Sequence, residues 1–338
     1  MKQQITSLNE LRGLAAVMVV CAHMPCTLQL LGGNPGGYAV TLFYLLSGFL
    51  TVMSSEHSTK YFLRKRIIKL LPLYYSMTLV AYVLATIKPE WFHTIQANVP
   101  NLIKSLLFIP YTNPNGFVRP VLDVGWYLNL EVFYYIVFWI ALKISYKYRI
   151  EICSLLLGIV YIIGGIFFAR NSIYITYRRG IIALIVGMYL YVVYRTMTEK
   201  SLGMSEVKKK PLINVVVYLG FFIGCFGYGA IEKNTNDTMI QIFLPLIVLI
   251  LFLVMNRWMY TTWIWFISKI SLSMYLTHEF VVKGVSRLMY PLDDVNFVTF
   301  LVCMLCLAIS VGTAWCVWYV IEKKFTDFCW LKFQNKEV

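Results

Sequence analysis

Charge is what this sequence has least of. Charged residues are 14% of the 338, against about 25% in a soluble globular domain, while hydrophobic residues reach 59%. That shortage excludes a water-soluble enzyme and predicts an all-α integral membrane protein. Polar stretches long enough for a separate soluble domain are also lacking, so one membrane domain over 1–338 is expected. The first hydrophobic segment has no small-residue cleavage site after a short apolar core, so it reads as a retained helix and not as a signal peptide. No paired, Gly/Pro-broken segments recur between the halves, which weakens a transporter reading.

The eight cysteines (Cys21, Cys26, Cys153, Cys225, Cys303, Cys306, Cys316 and Cys329) lie mostly inside apolar segments. They form no disulfide framework and no metal set, and Cys303-x-x-Cys306 reads as packing. The net charge of +14 does not indicate nucleic acid, because the basic residues fall in alternate loops and no soluble basic domain exists to grip a duplex.

What is present is a series of about ten apolar runs long enough to span a bilayer. They are Leu8 to Leu31, Tyr38 to Ser54, Leu71 to Ile87, Asp123 to Leu142, Ile152 to Phe168, Ile181 to Tyr194, Leu212 to Ile231, Met239 to Met255, Ile270 to Tyr290 and Phe297 to Ile321. The basic loop KYFLRKRIIK, with Lys60, Arg64, Lys65, Arg66 and Lys69, and the loop ending in Lys208, Lys209 and Lys210 mark the cytoplasmic side. Both termini are then cytoplasmic. The longest connection, Lys88 to Leu122, falls outside and reads as an interfacial or re-entrant piece, a candidate lid that includes Trp91 and His93. GGNPGG after the first run reads as a turn.

Ionisable residues inside such runs are expensive and mark functional sites by default. Arg12 and His23 stand on one face of the first run, roughly 16 Å apart, with His23 near the middle. Either alone has a plainer reading, Arg12 as a snorkelling anchor and His23 as a hydrogen-bonded imidazole between helices. By depth, His23, Glu131, Ser47 and His278 converge on one layer, so His23 and Glu131 are expected to share a site in which the carboxylate supports a histidine base. Glu131 also reads as an interhelical ion pair, Ser47 in LLSGFL as a close-packing position and His278 as a hydrogen bond between helices. Arg178 and Arg179, in an outer connection, run against the charge bias; with Arg119 they are candidates for an anionic acceptor or a lipid headgroup.

The opening LNELRGLAAVMVVCAH resembles the start of the acyltransferase-3 family of integral membrane acyltransferases, marked by Arg, ten intervening residues and His, here Arg12 and His23. FYLLSGFL with Ser47 and Gly48, GWYLNLEVFYY with Trp126, Leu128, Glu131 and Tyr135, the basic segment leading to Pro72 and Tyr74, and ISLSMYLTH ending at His278 resemble further motifs of that family in order. Tyr319 and Glu322 fall where its final helix ends. Two positions depart: Lys69 stands where Arg is usual, which weakens any bidentate phosphate contact there, and Lys324 stands where Pro is usual.

The resemblance implies transfer of an acyl group, usually acetyl, from cytoplasmic acetyl-CoA to a hydroxyl of a surface polysaccharide or lipid-linked glycan. Acetyl-CoA is then a donor substrate, and no bound cofactor or metal is expected. Arg12, Arg64, Arg66 and Lys69 would hold its phosphates, His23 would act as base with Glu131, directly or through an acyl-histidine relay, and Ser47, Trp126, Tyr135 and His278 would line the acceptor side, joined by Arg178 and Arg179, which the family motifs do not require. The expected location is the bacterial inner membrane, and all chemistry is expected in the membrane part because no hydrolase-like domain follows the last run. A transporter or flippase of lipid-linked sugars and a non-catalytic assembly partner are the competing classes; oligomeric state is not indicated.

Overall fold

The computed structural model describes residues 5–24, 26–27, 35–57, 61–92, 95–113, 115–200, 210–234, 237–259, 261–288, 295–325 and 327. Lys60, His93, Lys208, Lys209, Cys329 and the first part of GGNPGG lie outside them. The described helices are α1 Thr6–Ala22, α2 Pro35–His57, α3 Phe62–Ile87, α4 Val99–Leu106, α5 Trp126–Ile144, α6 Arg149–Phe167, α7 Ser172–Lys200, α8 Pro211–Asn234, α9 Thr238–Met255, α10 Ile264–Lys269, α11 Ser271–Leu288 and α12 Phe297–Val317. Beyond α12 the chain widens into a π-helical stretch, Trp318–Lys323.

Among the described residues, eight helices are long and apolar enough to cross a membrane. They correspond to eight of the predicted runs, and the chain is a multi-pass, all-α membrane protein. The other two runs form α1, of 17 residues, and α11, which carries Glu279, Lys283 and Arg287. On α6, Leu155, Ile159, Ile162, Ile163 and Ile166 are exposed, the pattern of a helix whose solvent is lipid.

Helix starts follow local chemistry more than charge. Asp237 accepts from the backbone N–H of Met239 at 2.8 Å and so caps α9, and Asn98 caps α4 through Asn101 at 2.8 Å. Asn171 accepts from Ile173 N–H at 2.8 Å and starts α7 before Arg178 and Arg179, which are therefore helical and not in a connection as predicted. Likewise α3 begins at Phe62, so Arg64, Arg66 and Lys69 lie within a helix and not in a loop ahead of Leu71. Arg, Lys, Leu and Ile are sound helix formers; their charge says where the membrane surface lies, not where a helix begins.

The chain groups into two compact units. The first takes the described residues of Met1–Ser54, Ile182–Leu272 and Phe280–Val311; the second takes those of Ser55–Ile181, Ser273–Glu279 and Gly312–Val338. In the first, α1 packs on α10 so closely that a Cβ on Gly13 would stand 2.5 Å from the Ile264 carbonyl oxygen, and α8 packs along α9. In the second, α5 packs along α6, and α3 meets α4, α5 and the π-helical stretch.

The described residues of the long connection between Lys88 and Leu122 are pinned and not free. Tyr74 donates to the Ser105 carbonyl at 3.0 Å and stacks on Phe108, and the Ser105 hydroxyl accepts from Val121 N–H at 2.9 Å. Burial, with Asp123 nearby, pushes the Tyr111 phenol above its ordinary range despite its bond to Ser105, so it stays neutral. Helix α4 buries Asn101 and Ser105 while exposing Val99 and Ile103, and Leu107 is exposed at its C-cap. An apolar face turned outward on a polar-faced helix fits a piece lying in the lipid interface.

Candidate active site

The predicted site residues are divided between the units. In the first unit, α1 ends at Ala22 and His23 is its C-cap, with φ −92° and ψ 0°, so His23 is not in mid-helix as predicted. The Thr27 hydroxyl donates its one proton between the carbonyls of Cys21 and Met24, the latter at 2.6 Å, and His23 N–H donates to the Val20 carbonyl at 3.1 Å. A polar side chain bonding backbone carbonyls in this way competes with the next helical turn. The His23 side chain is exposed, and its Nδ1 meets the Val19 carbonyl at 2.9 Å. That carbonyl can only accept, which puts the proton of a neutral ring on Nδ1 and the basic lone pair on Nε2.

Arg12 is half-buried three turns earlier on the same helix. About 200° round the same helix from Arg12 stands a carboxylate the sequence reading missed. Glu10, wholly buried, accepts from Thr262 N–H at 2.7 Å, the Thr262 hydroxyl at 2.5 Å and the Tyr218 hydroxyl at 2.9 Å. Ser7 N–H adds a bond to Asn256 at 3.0 Å. A glutamate buried in an apolar run was the available signal.

Ser47 is buried on α2 where that helix meets α7 backbone to backbone. A Cβ on Gly48 would collide with the Leu184 carbonyl oxygen, and one on Gly187 with that of Leu45. Small residues that let two backbones touch are a packing device in membranes.

In the second unit, Glu131 sits on α5, 5% exposed, between two tyrosines of its own helix. Tyr127 donates to Oε2 at 3.2 Å and Tyr135 donates to Oε1. Arg66 of α3 stands over the Tyr135 ring, 5.0 Å from its centroid, and over Phe62 at 5.6 Å. A guanidinium on one ring face and a carboxylate on its hydroxyl make Arg66, Tyr135 and Glu131 one electrostatic chain. Of the predicted donor-binding cations, Arg66 and Lys69 lie one turn apart, whereas Arg64 is about 200° round the helix from Arg66. Arg64 instead heads the face that lines an apolar groove of about 840 Å³ between α3 and the π-helical end, with Ile68, Leu71 and Lys324 in its wall.

Towards α5's first turn, Arg119 pairs with Asp123 at 2.9 Å and lies 5.9 Å from the Trp126 ring. Tyr275 donates to the Val124 carbonyl at 2.5 Å and meets Tyr127 edge-on at 5.5 Å. Arg119 also lies within electrostatic reach of Tyr275 and Tyr177, and Arg178 within reach of Tyr174. Beside Tyr177 is Asn129, 4% exposed, whose amide lacks a partner of good hydrogen-bond geometry among the described residues, as does the Tyr177 hydroxyl. An Asn in the middle of YLNLEVF was the missed signal. His278 is wholly buried, its Nδ1 3.1 Å from the Met274 carbonyl, beside buried Glu279; Ser273 of the same motif donates to Glu322 at 3.1 Å.

A polytopic helical protein with a histidine at a helix end and a tyrosine-clasped glutamate within the bundle is the class these features define. The chain belongs to the acyltransferase-3 family: the family's model, described as an acyltransferase domain, matches residues 5–318. It is similar to the exopolysaccharide production protein ExoZ of Rhizobium meliloti (strain 1021), 30% identical over 162 residues, covering 46% of this chain and 50% of that protein. The chain thus spans about half the length of this curated relative. No solved structure matches it.

Proposed function

We propose that this protein is an O-acyltransferase of the bacterial inner membrane, with both termini cytoplasmic. It moves acetyl from cytoplasmic acetyl-CoA to a hydroxyl of an exopolysaccharide or its lipid-linked precursor. The family match over most of the chain carries this reading, and the name of the relative supplies the acceptor class.

His23 is the base. Its Nε2 takes the acceptor hydroxyl proton as the oxygen attacks the thioester carbonyl, and the tetrahedral intermediate collapses by breaking the carbon–sulfur bond. The imidazolium then returns the proton to the departing coenzyme A thiolate. Glu131, held by Tyr127 and Tyr135, supplies fixed negative charge and orients its neighbours. Arg12, Arg66 and Lys69 hold donor phosphates. Asn129 and Tyr177 offer hydrogen bonds to an acceptor hydroxyl, beside Trp126 and Arg119.

The test is incubation of membranes containing the protein with radiolabelled acetyl-CoA, followed by extraction of carbohydrate and lipid-sugar fractions. Base-labile label above that of membranes without the protein is expected; label equal in both would remove the reading.

A further inference from the structure

Cys303 stands three positions before Cys306 in the sequence, but the sulfur within hydrogen-bond distance of it belongs to Cys26. Cys26 Sγ lies 2.9 Å from Cys303 Sγ across 277 positions of chain, and both thiols are free in this structure. Both belong to the first unit and are buried, 3% and 4% exposed. Cys21 and Cys306 are electrostatic neighbours of Cys26, so sulfur is concentrated at this end of α1. A disulfide needs the two sulfurs at about 2.05 Å, roughly 0.9 Å closer, which small rotations about the Cα–Cβ bonds can supply. In the topology proposed above, the C-terminal end of α1 and the N-terminal end of α12 both lie on the outer side, where disulfides persist. This step rests on that topology.

We propose that Cys26 and Cys303 form a disulfide in the native protein. The bond ties the turn that carries His23 to the last helix, α12. The oxidant is a protein disulfide of the oxidising compartment. The Cys26 thiolate attacks it, forming a mixed disulfide and expelling one donor thiolate. The Cys303 thiolate then attacks the Cys26 sulfur and expels the second, so two electrons and both thiol protons end on the donor as a dithiol. Because both sulfurs are buried once packed, exchange takes place before α12 closes on α1.

Cells expressing the full chain are quenched in acid to stop exchange and dissolved in detergent. Free thiols are then alkylated with a maleimide polymer of known mass, with or without prior reduction. Of the eight cysteines, two fewer are expected to react without reductant, and a digest is expected to yield the fragment holding Cys26 joined to that holding Cys303. Cys26→Ser and Cys303→Ser are each expected to give the same count with and without reductant. Eight additions without reductant, or a joined pair other than these two, would overturn the proposal. The count does not depend on acyl transfer, so it fails or succeeds separately from the proposed reaction.

Discussion

Tyr135 donates a hydrogen bond to Glu131, one turn before it on α5, while Arg66 of α3 covers the Tyr135 ring. The same two helices meet again where Gly125 stands against the Tyr74 ring, so α3 and α5 run antiparallel. Helix α5 continues to Ile144, about 13 Å beyond Tyr135. Arg66 is therefore well inside the depth of α5, where a guanidinium needs the bundle interior or water.

Tyr135→Phe keeps the ring under Arg66 and removes one donor from Glu131. A hydrogen bond to a charged group is worth about 1.5–3 kcal/mol, so acyl transfer is expected to fall about 10- to 100-fold if the carboxylate is needed in its present orientation. Initial rates of label transfer by purified wild type and variant decide this. Equal rates would leave the clasp without a role in the reaction.

Arg66 and Arg64 of α3 are expected to behave differently. Arg66→Ala should raise the KM for acetyl-CoA by about tenfold or more, the loss of one charge-assisted phosphate contact. Arg64→Ala, altered on the opposite side of the helix, should change it by less than about threefold, in the range of an exposed charge. Titration of donor in the labelled assay separates the two, and equal effects would contradict the division of α3 into two faces.

Ser47 and Gly48 make opposite predictions. Ser47→Ala should leave transfer within about twofold, since the neighbouring contact is packing. Gly48→Leu forces α2 off α7, and overpacking of this kind costs about 1–3 kcal/mol or more. Melting of the detergent-solubilised proteins should show the glycine variant clearly lower and the serine variant unchanged.

Glu10→Ala strands three donors, Thr262 N–H, the Thr262 hydroxyl and the Tyr218 hydroxyl, in a buried place. A loss of about 2–3 kcal/mol is expected, seen as a lower melting temperature, with Glu10→Gln retaining part of it. An unchanged melting temperature would mean that α1 is held by Gly13 packing alone.

Sequence patterning was enough for the multi-pass class and for the eight described helices that are long and apolar enough to cross a membrane. It failed where charge was taken as a boundary. Arg64, Arg66 and Lys69 lie inside α3, and Arg178 and Arg179 inside α7, because good helix formers and the Asn171 cap extend helices past the charged residues. It failed again at His23, where a continuous apolar run concealed a stop made by the Thr27 hydroxyl. Contacts between residues distant in the chain, such as Glu10 with Thr262 or Cys26 with Cys303, have no one-dimensional signature at all.

The central claim is that His23 takes the acceptor proton. The direct measurement compares label transferred from acetyl-CoA by wild type and by His23→Ala in membranes that contain the acceptor, with melting of both purified proteins as a control for folding. A fall of about 10²- to 10⁴-fold in rate with an unchanged melting temperature is the predicted result, the range of general-base catalysis. Equal label in both would contradict it.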